Sequence, residues 1–253
     1  SVQFKTASGR ILSPEQAKAV FARLARADQN PDSLARHLAL EQEISGTPLS
    51  LGNRVVLLED GPRTYEAMLA AIESARDHVN METYILEDDE AGRLFASALI
   101  AKRAQGVKVN LIRDGVGTLR TPKEFFQRLK DAGIEVLEFN PVNPLAAKAG
   151  WEVNQRDHRK LLVVDGRIAI MGGINISSVY SGGSSSPSGS RGSAPIGKSG
   201  AKAKDRLPWR DTDLQIEGPV VAQLQRLFME TWQAQKGPPL TGNYFPPLVP
   251  RGK

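Results

Sequence analysis

Apolar positions along the chain fall into two regimes. Up to residue 52 they are sparse and spaced for helices. Ser13-Pro14-Glu15-Gln16 is a capping-box start with proline at the first helical position. Val20, Phe21 and Leu24 then form a narrow stripe. A second helix is predicted after Asn30-Pro31, carrying Leu34, Leu38 and Ile44 and closed by Gly46, Pro48 and Gly52. From Asn53 short apolar runs alternate with helical stripes. Strands are predicted at Val55–Leu58, Val79–Leu86, Val107–Ile112, Ile134–Phe139 and Trp209–Ile216. Helices are predicted at Tyr65–Arg76, at Ala91–Ala104, from a Thr121-capped start at Thr121-Pro122-Lys123-Glu124 to Gly133, and at Pro219–Gln235. This alternation predicts an α/β layered domain, with a mixed, mostly parallel sheet flanked by helices and an N-terminal helical extension.

The domain organisation follows: residues 1–52 as a helical extension expected to pack on the domain, 53–236 as the catalytic unit, and 237–253 as a proline-rich extended tail, expected to be truncated from a longer parent. Within the unit, residues 181–206 are rich in Gly, Ser and Lys and lack apolar periodicity, so they are predicted to form a mobile loop. The net charge of +5 suggests nucleic acid as a partner. However, Arg191, Lys198, Lys202, Lys204 and Arg206 against Asp205 put +4 of it in that loop, leaving about +1 elsewhere. Nucleic-acid affinity draws on spread cations, so this partner is not expected. The loop is a solvated linker or a contact for anionic headgroups. No cysteine is present, which excludes disulfides and thiolate metal sites, and the three histidines have no suitably spaced carboxylates; neither metal nor cofactor is expected.

One stretch concentrates the chemistry: His158-Arg-Lys160, then Asp165-Gly166 between two β-branched runs, then Gly172-Gly173-Ile-Asn175. Asp-Gly between such runs signals a hairpin. A two-residue turn pairs Val164 with Arg167, and continuing outward sets His158 opposite Gly173 and Arg156 opposite Asn175. Paired residues and residues two apart share a face, so Arg156, His158, Lys160, Gly173 and Asn175 are predicted to line one surface. Gly172 and Gly173 would leave a hollow for a phosphate close to the backbone. A neutral imidazole attacks phosphorus to form a phosphohistidine, while Lys160 and Asn175 stabilise the developing charge. Asp165 lies on the opposite face and is given a supporting part. Asp211 is the candidate to fix the His158 tautomer, with a surface salt bridge as the open alternative. Glu82 either lines the site or is a paired structural group. His37 and His78 are read as ordinary.

The pattern His-x-Lys-x4-Asp-x6-Gly-Gly-x-Asn resembles the signature of the phospholipase D superfamily. Met81–Asp89, Asp114–Gly117, Asn154–Lys160 and Pro208–Thr212 through Glu217–Pro219 are similar to its cardiolipin synthase branch. The resemblance implies a layered α/β fold, metal-independent phosphatidyl transfer or hydrolysis of phospholipid phosphodiesters through a covalent phosphohistidine, and catalytic roles for His158, Lys160, Asp165 and Asn175. It further implies a phosphatidylglycerol-like substrate and a bacterial, peripherally membrane-associated protein. The superfamily builds its site from two such motifs, and this chain has one. The second half is expected from the parent chain or a dimer mate. The alternative is a single-motif homodimeric phosphodiesterase or nuclease.

Overall fold

The computed structural model describes residues 2–26, 30–141, 156–181, 211–247 and 249–251. The predicted loop 181–206 beyond Ser181, the start of the strand expected at Trp209, and Asn154 lie outside them. In the N-terminal extension, β1 (Phe4–Lys5) pairs in parallel with β2 (Leu49–Ser50), and two helices lie between them, α1 (Pro14–Arg26) and α2 (Pro31–Ser45). The capping box forms as the sequence predicts: Gln16 N–H donates to Ser13 Oγ and Ser13 N–H to Gln16 Oε1. Asn30 caps α2 by accepting from Ser33 N–H. Neither helix buries a residue, so the extension adds little to the core.

The rest is a seven-stranded sheet between helices. Its strands are β3 (Arg54–Glu59), β4 (His78–Thr83), β5 (Lys108–Asp114), β6 (Glu135–Phe139), β7 (Leu161–Val164), β8 (Ile168–Gly172) and β9 (Thr212–Glu217). In space the order is β3-β9-β8-β7-β4-β5-β6. Five strands run one way; β7 and β9 run the other. Most strands are thus mutually parallel, as expected. Because the two reversed strands are interleaved, four of the six neighbouring pairs are nevertheless antiparallel.

One face carries α3 (Asp60–Ser74), α4 (Glu90–Ala104) and α5 (Lys123–Asp131) over a core of Ile72, Phe95, Leu99, Met81, Leu111 and Leu162. The other carries α6 (Val220–Ala234), whose Val221, Phe228 and Trp232 pack on Leu161, Val163 and Ala169. Both faces are therefore covered, and all six residues of β4 are buried. Helix α5 starts without a side-chain cap, because the expected Thr121 hydroxyl donates to Leu86 O instead. After α6 the chain returns along the sheet without helix or strand. Asn243 N–H donates to Asp77 Oδ2, and Arg251 N–H donates to Gly52 O.

The β7–β8 hairpin corrects the predicted register. Asp165 and Gly166 turn at φ of 52° and 62°, and Arg167 N–H donates to Val164 O at 2.9 Å. Val164 then pairs with Ile168, so Arg167 is an extra, bulged residue on the second strand. Lys160 consequently lies opposite Gly172, whose N–H donates to Lys160 O, and the expected common face with Gly173 and Asn175 is lost. Asp165 also differs from its grouping with the catalytic residues. It sits at the far end of β7 from His158, and its carboxylate accepts from the backbone N–H groups of Arg76, Asp77 and His78 at 2.8–2.9 Å. It locks the hairpin tip to the start of β4. Asp165→Ala is expected to lower stability by about 2–4 kcal/mol, since three charge-assisted hydrogen bonds disappear together. Urea unfolding measures this, and a change below about 0.5 kcal/mol would contradict the anchoring.

Candidate functional site

The carboxyl ends of β4, β5 and β8 and the amino ends of β7 and β9 meet at one edge of the sheet. Open α/β sheets place ligands at such ends, where side chains from several strands converge while the strands hold them rigid. Residues 156–160 lead into β7 here without strand pairing. The His158 ring is exposed and stacks on Tyr84, with centroids 4.0 Å apart and planes 21° from parallel. Lys160 donates from Nζ to the carbonyl of His158 at 2.6 Å and lies 5.3 Å from the Tyr84 ring centre. Burial lowers the Lys160 ammonium below the usual lysine range, against the opposing pull of Asp211, Asp157 and Asp213. The ring and the ammonium thus share one aromatic platform at the mouth of the sheet.

The space beside the two glycines is occupied by side chains that the sequence reading did not place there. A Cβ at Gly172 would collide with the Asp213 carboxylate, and one at Gly173 with the Asp211 carboxylate. The hollow left by these absent side chains is filled by acids from β9 and its approach. Asp213 is buried and accepts from Ile174 N–H at 3.1 Å. Desolvation, with the Asp211 charge adding to it, pushes its carboxyl up to about 6. Asp211 itself accepts from Thr212 N–H. Among the described contacts, the His158 ring meets Tyr84, whereas Asp211 meets Gly173 and the field of Lys160.

Asn175 and Arg156 stand apart from this cluster. The Asn175 side-chain amide accepts from Ile85 N–H at 3.1 Å and donates to Tyr180 Oη at 3.2 Å, and the Asn175 backbone carbonyl accepts from Tyr65 Oη at 2.6 Å. It braces the exit of β4 against the segment after β8. Arg156 donates to Asn140 O at 3.2 Å. Glu82, at the end of β4, is buried beside Asp157 and 3.1 Å from Arg159 Nη2. Burial, followed by the hydrogen bond and charge of Asp157, pushes its carboxyl up to about 9, while Asp157 is held below the usual range.

Sequence reasoning missed Tyr84, Asp213, Asp157 and Arg159. Asp213 carried a signal, an acid two residues after Asp211 inside a β-branched and apolar run. Tyr84 carried only its place in the Met81–Asp89 stretch, which does not give its contact, because only the tertiary fold brings the end of β4 under His158.

A family described as "Cardiolipin synthase, PLD-like domain" matches residues 68–180. The chain is 37% identical over 194 residues to Cardiolipin synthase A of Pseudomonas putida (strain GB-1), covering 75% of this chain and 35% of that protein. It is 33% identical over 215 residues to the Cardiolipin synthase of Geobacillus kaustophilus, covering 84% and 38% respectively. The chain thus spans little more than a third of the length of these relatives. Among solved structures, phosphatidylserine synthase from Haemophilus influenzae superposes with a TM-score of 0.49 at 16% identity, over 70% of this chain and 36% of that one.

Two outcomes are expected from the acid beside Gly172. The folded protein favours neutral Asp213, whose ordinary value is 3.8. Its contribution to stability is therefore full below about pH 4 and declines as the pH rises towards 6. Asp213→Asn removes up to about 3 kcal/mol of that decline, read by comparing unfolding free energies of both proteins at low and neutral pH. Gly172→Ala, which drives a methyl into that carboxylate, is expected to cost about 1–3 kcal/mol in the same measurement.

Proposed function

The chain belongs to the phospholipase D superfamily, with a cardiolipin synthase-like domain, and we propose that it supplies one half of a phosphatidyltransferase site acting on phospholipid phosphodiesters. The observation that carries this reading is the exposed imidazole of His158 stacked on Tyr84, with the Lys160 ammonium against the same ring.

In the proposed reaction a neutral His158 nitrogen attacks the phosphorus of a phosphatidylglycerol-like lipid. An N–P bond forms, the P–O bond to the departing alcohol breaks, and that alcohol leaves with a proton from the second half-site. A second alcohol, or water, then attacks the phosphohistidine and returns a proton to the second half-site. The N–P bond breaks, and a new phosphodiester, or phosphatidic acid, departs. Lys160 is a preorganised cation for the phosphoryl oxygens. Its partial desolvation strengthens that attraction, because low-dielectric surroundings screen charge poorly. Asp211, adjacent to the phosphoryl position this implies, is the proposed orienter of His158, and Asn175 braces the site. The second motif is proposed to come from the parent chain or a dimer mate. No helix among the described residues is long and apolar enough to cross a membrane, and contact with lipid is proposed to be peripheral.

Assaying the two-motif protein with phosphatidylglycerol in mixed micelles tests the reading. Cardiolipin or phosphatidic acid should form, and His158→Ala should lower kcat on the order of 10³-fold or more. Lys160→Ala should cost roughly 10²–10³-fold. Neither lipid product from the wild type, or metal-independent DNA cleavage in its place, would overturn it.

A further inference from the structure

We propose that Glu82 is a positioning residue for His158: as a neutral carboxylic acid it donates a hydrogen bond to Asp157 and, together with Arg159, clamps the backbone on both sides of the histidine. The catalytic meaning of this clamp rests on the function proposed above; its geometry does not.

His158 sits in a segment without strand pairing, so something other than the sheet must hold it. Its two neighbours in the chain do. Asp157 N–H donates to Asp114 Oδ2 at 3.1 Å. Asp114 is itself immobilised, since its other oxygen accepts from Val116 and Gly117 N–H at 2.8 and 2.9 Å. The Asp157 carboxylate accepts from Arg159 N–H at 3.1 Å and from Arg159 Nε at 2.9 Å. The residues before and after His158 are therefore tied to one another and to the end of β5. Beneath them lies Glu82, 1% exposed.

The environment of Glu82 supports the neutral form. Neither of its oxygens accepts a hydrogen bond among the described residues. Arg159 Nη2 approaches Oε1 without the alignment of a donor. A buried carboxylate without donors, beside a second carboxylate, would bear the full cost of desolvation and of like-charge repulsion. Keeping one proton between Glu82 and Asp157 relieves both. Asp157, which has the arginine donors, is the partner that ionises. The charged groups around Glu82 among the described residues are Asp157 and Arg159 above it, Asp114 at the end of β5, and Lys160 and Asp213, which line the same small cavity. The buried face of α6 opposite contributes no ionisable side chain. When Glu82 loses its proton, two adjacent buried anions repel, and the segment carrying His158 is released from Tyr84.

The test uses the isotopically labelled chain itself and needs no turnover. The Glu82 carboxyl carbon should titrate near 9. The His158 ring protons should keep the upfield displacement from the stacked Tyr84 up to that pH and lose it together with the Glu82 proton. Glu82→Gln, which still donates to Asp157, should hold the displacement to about pH 10. A Glu82 carboxyl already ionised at neutral pH, or the same loss of stacking in Glu82→Gln as in the wild type, overturns the proposal. If Glu82→Gln does not fold, the wild-type titration decides: ring shifts that ignore the Glu82 transition overturn it equally. In the two-motif protein, Glu82→Ala should lower kcat by roughly 10–100-fold with KM within about 2-fold, and Glu82→Gln should recover most of it. Absent lipid turnover with an intact Glu82–His158 linkage would sink the phosphatidyltransfer reading and leave the clamp standing.

Discussion

Strand β7 is held between β4 and β8 by antiparallel backbone pairing on both sides, from Glu82–Leu161 to Val79–Val164 on one edge and from Leu161–Met171 to Val164–Ile168 on the other. Nearly everything at the site follows from that insertion. A reversed strand in the middle of the sheet brings its entry, and therefore His158 and Lys160, to the end where β4, β5 and β8 finish. A parallel β7 would have delivered those residues to the opposite edge. Asp165 secures the arrangement from below, because its carboxylate gathers three N–H groups at the start of β4 and prevents the hairpin from sliding along its neighbour.

Carboxyl groups dominate the surroundings of the two cationic and nucleophilic side chains. Asp211 and Asp213 fill the space beside Gly172 and Gly173, and Glu82 and Asp157 share a buried corner behind His158. Such clustering is costly unless some members are neutral or supplied with donors. Glu82 takes the first course; Asp157 takes the second through Arg159, and Asp213 through Ile174 N–H, with its carboxyl pushed up only to about 6. Perturbed carboxyls flanking an exposed imidazole and a partly desolvated lysine support the proposed functional role of this edge over that of a solvated strand end.

The elements of the fold were readable in advance wherever local chemistry decided them. The reciprocal Ser13–Gln16 cap, the helix start after Asn30 and the alternation of strands and helices from Asn53 depend on residues close in sequence. The hairpin register was not readable in this way. Leu161, Val163 and Ala169 face α6, while Leu162, Val164 and Ile170 face α3 and α4, so both faces of the pair are apolar. A one-residue slip then leaves no polar residue wrongly buried, and the hydrophobic pattern could not reveal the bulge at Arg167. The predicted surface joining Gly173 and Asn175 to His158 failed for that reason.

Residue identity alone settled that an imidazole and an ammonium stand two positions apart and that the chain reverses at Asp165-Gly166, since those features are covalently close. The folded chain decided what each does. It set Tyr84 beneath His158, turned the glycine gap into a seat for Asp211 and Asp213, sent Asp165 to the far edge, and bound Asn175 between Ile85 and Tyr180. Apart from that between Asn175 and Tyr180, these contacts join residues tens of positions apart. Their partners are chosen by strand order and by the exclusion of water, neither of which leaves a trace in the spacing of the motif.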